Sequence, residues 1–406
     1  MFECSINIFE QRKTMNINIR PEIERLKETI IQTRRDIHRH PELGFNEYRT
    51  ASLISDRLTE LGLEVNTAVG KTGVTGLLKG NEDGPTIALR ADMDALPIQE
   101  TGDVPYKSVN DGIMHACGHD GHVAMLLGAA EVLSKNSQFN GNVKFIFQPA
   151  EEGEGGARFM IDDGVLIDVD EIYGIHLWNY QKFGSIGIKA GPILASADIF
   201  DLTISGTGGH GATPHGTHDP IVAAAQLITA FQTIVSRNTN PLESTVVSIG
   251  TINGGYNFNI ISDIVKMTGT TRAYTEENRN MIKVRMAEII AGIEKMFSVK
   301  IHLNYEDGYP PTINDSTLAD HVIKSASKIA PYGVESPYMT MGGEDFSYYG
   351  DHVPACFFFI GSAPDNRQPM SIPHHCSHFD IDEKALLVGS SVFIQLIEDR
   401  LSMTSD

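Results

Sequence analysis

The chain has 406 residues, 41% of them hydrophobic and 21% charged, which is ordinary globular composition and enough for roughly two or three domains. Its formal net charge of −20 disfavours binding to nucleic acid or to anionic membranes, and no apolar run reaches the roughly 18 residues of a membrane helix. The four cysteines lack regular spacing, so a disulfide scaffold is not expected and a cytoplasmic location is favoured.

Helical and strand-like patterns alternate from the N-terminus onward. Residues 1–14 contain neither a continuous apolar core nor a small-residue cleavage site, so no secretory signal is expected, and Met15 is an alternative start. Apolar spacing predicts helices over Pro21–His40 and from Glu47 to Leu61. Strands are predicted at Leu63–Thr67, Val74–Leu78 and Thr86–Leu89. The continued alternation predicts an α/β domain with a doubly wound, largely parallel sheet.

Three predicted strands end in polar, chemically active residues. These are Thr86–Leu89 followed by Asp92, Val143–Phe147 followed by Glu151 and Glu152, and Ile172–Ile175 followed by His176. Ligand sites of open parallel sheets lie just outside the carboxyl ends of the strands. The sequence therefore predicts that these side chains meet at one edge of the sheet.

The pattern changes near residue 197 and indicates an inserted domain. The predicted elements are a strand at Asp198–Ser205, a helix from Asp219 to Arg237, strands at Thr245–Ile249 and Asp263–Ala273, a helix at Met281–Phe297 and a strand at Val299–Tyr305. This order suggests a small α+β domain. The predicted division is a first domain over 15–195, an insert over 196–308, and a return to the first domain over 309–406.

A cysteine–histidine motif precedes the apolar helix predicted at Val123–Leu133. Cys117 and His119 are two residues apart, so an extended segment would point both to one side, and the helix N-terminus behind them favours a thiolate. A buried structural cysteine beside loop histidines is the alternative. The acidic pair, His176 and the C-terminal cluster His374–His378 add further donors, and together they favour a metal site.

Glu151 and Glu152 are adjacent, so they are expected to differ in role. One carboxylate can bind a metal while its neighbour moves protons, although a solvated acidic turn is the commoner fate of such pairs. The loop Gly208–His210 lacks the endings of nucleotide-binding loops, and its histidine could instead donate to a developing oxyanion. His215 and His218 are interpreted as ordinary turn residues.

Six ordered motifs between about Pro21 and Ile397 resemble the M20 metallopeptidase family. They are Arg90–Ile98, His115–Asp120, Pro149–Gly153, Gly209–His215, Gly269–Tyr274 and Met341–Phe346. More narrowly, they are similar to N-acyl-amino-acid amidohydrolases, hippurate hydrolases and auxin-conjugate hydrolases. The resemblance implies a catalytic domain with an inserted lid or dimerisation domain, and a homodimer or higher homo-oligomer formed through the insert.

The resemblance also implies roles for individual residues. Cys117 would bridge two divalent ions, with Glu152 and His375 completing one site and His119 and His176 the other. Asp92 would orient a ligand, Glu151 would be the general base and then the acid, and His210 would stabilise the oxyanion. Asn259 and Arg272 would hold a substrate carboxylate. Two departures affect these assignments: Ser262 replaces the usual proline near Asn259, and His374 competes with His375 for the C-terminal position.

The expected activity is metal-dependent hydrolysis of the amide bond of a small N-acyl amino acid, of the N-acetyl or N-aroyl type. Zinc or manganese is the expected ion, with cobalt and nickel compatible. A peptide-cleaving carboxypeptidase or dipeptidase is the alternative, and an N-acetyl-diaminopimelate deacetylase belongs to the same subfamily. A non-catalytic metal-binding protein is disfavoured because such a protein has no use for Glu151.

Overall fold

The structure, a computed structural model, describes residues 17–364 and 367–401. It contains two large sheets, each packed against its own hydrophobic core, and two short two-stranded sheets. The predictions on residues 1–14 and on Met15 lie outside these residues. The strands, β1 to β16 in chain order, are Glu64–Val69, Gly73–Lys79, Glu82–Asp92, Asn140–Gln148, Glu171–Lys182, Ile186–Gly187, Gly191–Leu194, Ala197–Ser205, Gly209–His210, Thr245–Gly254, Ile260–Ile261, Ile264–Ala273, Lys300–Tyr309, Thr312–Asn314, Val334–Glu335 and Ala355–Ala363.

The helices, α1 to α9 in chain order, are Pro21–Arg39, Tyr48–Glu60, His119–Lys135, Gly156–Asp162, Pro220–Thr233, Glu276–Phe297, Ser316–Ile329, Ser347–Gly350 and Lys384–Leu401. A short 3-10 turn spans Pro214–Gly216, and a π turn over Ile234–Asn238 prolongs α5. Within the described residues, no helix is long and apolar enough to cross a membrane.

The first sheet has eight strands in the order β1-β2-β4-β3-β5-β16-β6-β15. Its centre, β4-β3-β5-β16, is parallel, while β1, β2 and β6 join antiparallel. Both faces are covered. On β16, Phe358 and Ile360 pack into the core with α1, α3 and α9, whereas Phe357 and Phe359 pack into a core with α4 and α8. The prediction of a doubly wound, largely parallel sheet is confirmed.

The second sheet is antiparallel, in the order β10-β12-β8-β13, and α5 and α6 cover one of its faces. Alternation on β8 follows the expected period of two, because Phe200, Leu202 and Ile204 are buried in this core. Helix α6 begins five residues earlier than predicted because Thr275 caps it, its side chain accepting from the backbone N–H of Asn278. The insert is thus α+β. The domain boundaries at residues 196 and 308 stay a prediction.

Two features of the first domain differ from the sequence prediction. Helix α3 begins at His119 rather than Val123, because Gly118 adopts a left-handed φ of 105° and turns the chain into the helix at once. His119 therefore lies in the first helical turn and not in an extended segment beside Cys117. The C-terminal part, where no element is predicted, supplies the central strand β16 and the covering helices α7 and α9.

Candidate active site

The carboxyl ends of β3, β4 and β5 bring the predicted polar residues to one edge of the sheet. Two groups of three ligand atoms, each group lying within 4.8 Å, form there: Cys117, His119 and His176 in one, and Cys117, Glu152 and His375 in the other. Cys117 belongs to both groups, and its sulfur lies 3.4 Å from Nε2 of His176. All five predicted ligands are thus neighbours.

Two buried atoms in this cluster have no hydrogen-bond partner. They are Nε2 of His119 and Oε1 of Glu152, and they face each other at 4.0 Å. Oε1 of Glu152 also lies 3.2 Å from Nε2 of His375. Unpaired buried polar atoms cost free energy, and a cation between such donors would satisfy them. The residues present therefore fit a divalent metal ion.

The Cys117 thiol is 9% exposed and surrounded by acids. Burial raises its pKa well above the usual range, and the nearby Glu152 and Glu151 carboxylates raise it further. Without a cation the group would stay protonated, whereas a coordinated thiol loses its proton. A bound cation would therefore allow Cys117 to act as a thiolate ligand.

Asp94, which the sequence reasoning missed, orients two candidate ligands. The Nδ1–H of His119 lies 3.0 Å from the Asp94 backbone oxygen and 3.2 Å from its carboxylate, and the backbone N–H of Glu152 donates to the same carboxylate at 3.0 Å. Such contacts fix the ring and leave Nε2 free for a metal. The sequence contained a hint of this role, because Asp94 is a second carboxylate only two residues after Asp92, in the same motif at the end of a predicted strand.

Asp92 is predicted to orient a metal ligand, but its shortest contacts are to His122 and Arg90 and not to a candidate ligand. Its oxygens pair with His122 at 2.5 Å and with Arg90 at 2.7 Å, and lie 3.7 Å from Nε2 of His119. The second ring nitrogen of His122 accepts from the Leu177 backbone N–H at 2.9 Å. Both nitrogens of His122 are thus occupied, and this histidine holds β5 in place beside His176.

His374 and His375 have different surroundings. The backbone N–H of Asn179 donates to Nε2 of His374 at 3.1 Å, and Nδ1 of His374 donates to the Cys117 backbone oxygen at 3.2 Å. His375 instead directs Nε2 toward Glu152, and its backbone adopts a left-handed φ of 63°, a strained conformation for a non-glycine residue. Of the two, only His375 joins a ligand group in the described part of the chain.

Glu151 lies behind the ligands in an acidic environment. Its carboxylate falls within 4.8 Å of both Glu344 and Asp345, and the backbone N–H of Asp345 donates to Oε1 of Glu151 at 3.4 Å. Burial raises the pKa of Glu151 well above its usual range, and Glu344 adds to the shift. Arg90 is the buried cation nearest these acids, 3.0 Å from Glu344 and 2.9 Å from Asp345.

The sequence as a whole matches peptidase family M20/M25/M40 over residues 88–399, which include every residue of the cluster. The chain belongs to the M20 family. It is 42% identical over 366 residues to the N-acetyl-L-cysteine deacetylase of Bacillus subtilis, covering 90% of this chain and 86% of the relative. It is 39% identical over 389 residues to the hippurate hydrolase of Campylobacter jejuni, covering 94% and 98% of the two chains.

A solved M20 structure shares the whole architecture. The YXEP protein of Bacillus subtilis, a dinuclear metal-binding peptidase, superposes with a TM-score of 0.82 at 36% identity and covers 93% of this chain and 99% of its own. The chain studied is accordingly an M20 hydrolase with a candidate metal centre. The identity of its metal remains a prediction.

A cavity of about 470 Å³ opens beside the M20 ligand cluster. Its lining includes the candidate ligands Cys117, Glu152, His176 and His375, the acids Glu151 and Glu344, the aromatic residues Trp178, Tyr180 and Tyr309, and Arg272 from β12. Arg272 is half-buried, and burial lowers its pKa. Its Nη1 donates to the Thr270 hydroxyl and to the Thr271 backbone oxygen, but in the described part of the chain no ion pair includes this guanidinium, which leaves its positive charge available to a carboxylate.

His210 and Asn259 do not line this cavity of the M20 chain. Both are exposed, and they lie together where β9 pairs with β11, with the Gly211 backbone N–H donating to the Asn259 backbone oxygen at 2.8 Å. The structure thus brings the two residues together but apart from the ligands. Their predicted roles would require the insert of this chain, or of a second copy, to approach the cluster.

Proposed function

We propose that this M20 chain hydrolyses the amide bond of N-acyl amino acids, using two divalent metal ions per subunit. The observation that carries the proposal is the sharing of Cys117 by two ligand groups, each within 4.8 Å. Glu152 and His375 would complete one site, and His119 and His176 the other. Zinc and manganese suit this mixture of sulfur, imidazole and carboxylate, and cobalt and nickel are compatible with it.

When bound, such ions would polarise the scissile carbonyl and lower the pKa of a water molecule. Glu151 takes the proton of the attacking water and returns it to the leaving amine. Glu151 lines the cavity, and the backbone N–H of Asp345 donates to its Oε1 at 3.4 Å.

Arg272 binds the carboxylate of the amino-acid part. Its guanidinium projects into an otherwise acidic cavity, and a planar fork can bind both oxygens of a carboxylate. His210 and Asn259 join the site when the insert of a second copy, or a closing motion of the same insert, covers the cavity. In that arrangement His210 stabilises the oxyanion and Asn259 assists Arg272.

The two named relatives support this class of substrate. One is an N-acetyl-L-cysteine deacetylase and the other a hippurate hydrolase, and each aligns with about nine-tenths of this chain or more. The proposed substrate is therefore a small N-acyl amino acid with a free carboxylate, and the proposed assembly is a homodimer or higher homo-oligomer. The proposed location is the cytoplasm.

A substrate panel with matched variants tests the proposal. The protein reconstituted with zinc or manganese should release amino acid from N-acetyl or N-benzoyl amino acids faster than it cleaves dipeptides, and chelation should abolish this. Glu151→Gln should keep two metal ions per chain by elemental analysis and lose turnover by about a hundredfold or more. Glu154→Gln, an exposed acid in the same loop, is the control. Retained turnover in Glu151→Gln, or a metal-loaded protein inactive on every N-acyl amino acid, would contradict the proposal.

A further inference from the structure

A row of aromatic side chains runs outward from the ligand cluster along β5. His176, Trp178 and Tyr180 are spaced by two residues, so strand alternation places them on one face of the sheet. The ring centroids of His176 and Trp178 lie 5.2 Å apart, and those of Trp178 and Tyr180 lie 4.8 Å apart. All three residues line the cavity. The row thus begins at a candidate ligand and continues into the space where a substrate would lie.

Trp178 is held firmly in this row. Its indole stacks on Phe359 with centroids 4.5 Å apart, and its Nε1–H donates to the Tyr338 backbone oxygen at 3.1 Å. The Tyr180 ring lies 5.2 Å from His374, whose two nitrogens are bound to backbone atoms. The wall is therefore preorganised, and Leu194 extends its apolar surface along the cavity. Preformed aromatic walls of this kind select apolar, planar groups.

We infer that Trp178 and Tyr180 form the acyl subsite of this chain, and that it prefers an aromatic acyl group over an acetyl group. The inference rests on the proposed function, because that function places the scissile carbonyl at the ligand cluster. The acyl substituent is bonded directly to the carbonyl carbon, so it meets the ring that adjoins His176. The amino-acid carboxylate is directed to Arg272 instead.

Edge-to-face contact is the favoured geometry between such rings. Trp178 meets Tyr180 at 81° and His176 at 86°, and Phe359 and His374 also pack against its indole, which is 7% exposed. The partly exposed Tyr180 ring therefore presents more of the row's surface to a further aromatic group than Trp178 does. An acetyl group presents a single methyl to this row, whereas a benzoyl group presents a whole planar ring. Apolar pockets discriminate by roughly tenfold or more when a substrate group leaves them partly empty.

Kinetics with N-benzoylglycine and N-acetylglycine test the inference. We expect kcat/KM for the benzoyl substrate to be at least about tenfold higher, and Trp178→Ala or Tyr180→Leu to reduce that ratio by about fivefold or more. Tyr338→Leu is the matched control, since its ring contacts Tyr180 but does not line the cavity, and its backbone acceptor is kept. A ratio near one, or a ratio that neither variant changes, would overturn the inference and leave the proposed hydrolase activity intact. A shift in amino-acid side-chain preference instead would also overturn it.

Fluorescence provides a readout that does not depend on turnover. Trp178 is the only tryptophan of the chain, so its emission reports on this wall alone. In metal-loaded Glu151→Gln, N-benzoylglycine should change the emission and saturate at a concentration about tenfold below that needed for N-acetylglycine. Adding Tyr180→Leu, which is partly exposed and keeps the tryptophan, should weaken the benzoyl response. Equal responses to both ligands would overturn the subsite, whereas a parent protein that binds N-benzoylglycine in this way but, when metal-loaded, hydrolyses no N-acyl amino acid would count against the proposed function only.

Discussion

The hydroxyl of Tyr309 donates a hydrogen bond of 2.6 Å to the backbone oxygen of Glu151. The same oxygen of Tyr309 accepts from the backbone N–H of Gly155 at 3.2 Å, so one side chain ties both ends of the acidic loop. Tyr309 is the last residue of β13, a strand of the second sheet. The loop that carries the proposed general base is therefore fastened to the second sheet as well as to its own.

Replacing Tyr309 by phenylalanine removes this hydrogen bond and keeps the ring. We expect kcat to fall by about tenfold with little change in KM or bound metal, because a small displacement of a catalytic group is costly. The free energy of unfolding should fall by about 1 kcal/mol. Steady-state kinetics, elemental analysis and urea denaturation provide the three measurements.

Tyr348→Phe is the control for this variant. The Tyr348 hydroxyl donates to the Gly308 backbone oxygen at 3.2 Å, and its ring lies 5.9 Å from that of Tyr309. It should lose similar stability and keep its kcat within about twofold. Equal kcat losses in the two variants would show that Tyr309 acts on general stability and not on Glu151.

Asp94→Asn should weaken metal binding. The carboxylate contacts both the His119 ring and the Glu152 backbone, and loss of such an outer contact typically costs about ten- to a hundredfold in metal affinity. Competition with a fluorescent zinc chelator measures the change. The exposed Asp111→Asn is the control. Unchanged zinc affinity in Asp94→Asn would remove this residue from its positioning role.

Glu47 should make stability depend on pH. Its carboxylate accepts from the Ala150 backbone N–H at 2.9 Å and from the Thr72 hydroxyl at 2.6 Å, and burial raises its pKa from 4.5 to about 7. Between these values the folded protein binds more protons at this site than the unfolded chain. Its contribution to stability is therefore present below pH 4.5 and is lost as pH rises through about 7.

The variant Glu47→Gln tests the direction of this pH dependence. The variant should gain stability relative to the parent between pH 5 and pH 8, on the order of 2 kcal/mol, because the amide cannot ionise. Urea denaturation of both proteins at the two pH values gives the difference. A parent whose advantage instead grows with pH would mean that the carboxylate is stabilised in its charged form.

Arg34 anchors helix α1 to the start of α3. Its Nε lies 2.7 Å from Asp120, the residue after His119, and both side chains are fully buried. Arg34→Met should lower the free energy of unfolding by about 3–5 kcal/mol, since the buried Asp120 charge would lose the guanidinium and keep only His38, at 2.8 Å, as a side-chain partner. Arg35→Met, which breaks a partly exposed pair with Glu383, should cost about 1 kcal/mol or less. Similar losses of stability in the two variants, measured by thermal denaturation, would contradict the expected difference between the buried and the partly exposed ion pair.

The sequence predicts the strands that end at the cluster, because apolar runs followed by polar residues mark the carboxyl ends of buried strands. It does not distinguish Asp92 from Asp94, since that choice depends on where β3 ends and which carboxylate faces His119. Nor does it place Glu344 and Asp345, which reach Glu151 from an irregular loop. The periodicity of apolar residues likewise cannot predict that His210 and Asn259 lie away from the candidate ligands. That distance depends on how the two large sheets are oriented.

The shared sulfur of Cys117 has a consequence for the loss of activity. Alkylation or oxidation of this single atom would remove a ligand from both proposed metal positions at once. An electrophile that enters through the cavity should therefore release the two ions in one step, with no singly occupied form accumulating. Bound substrate, by filling the cavity that Cys117 lines, should slow the inactivation.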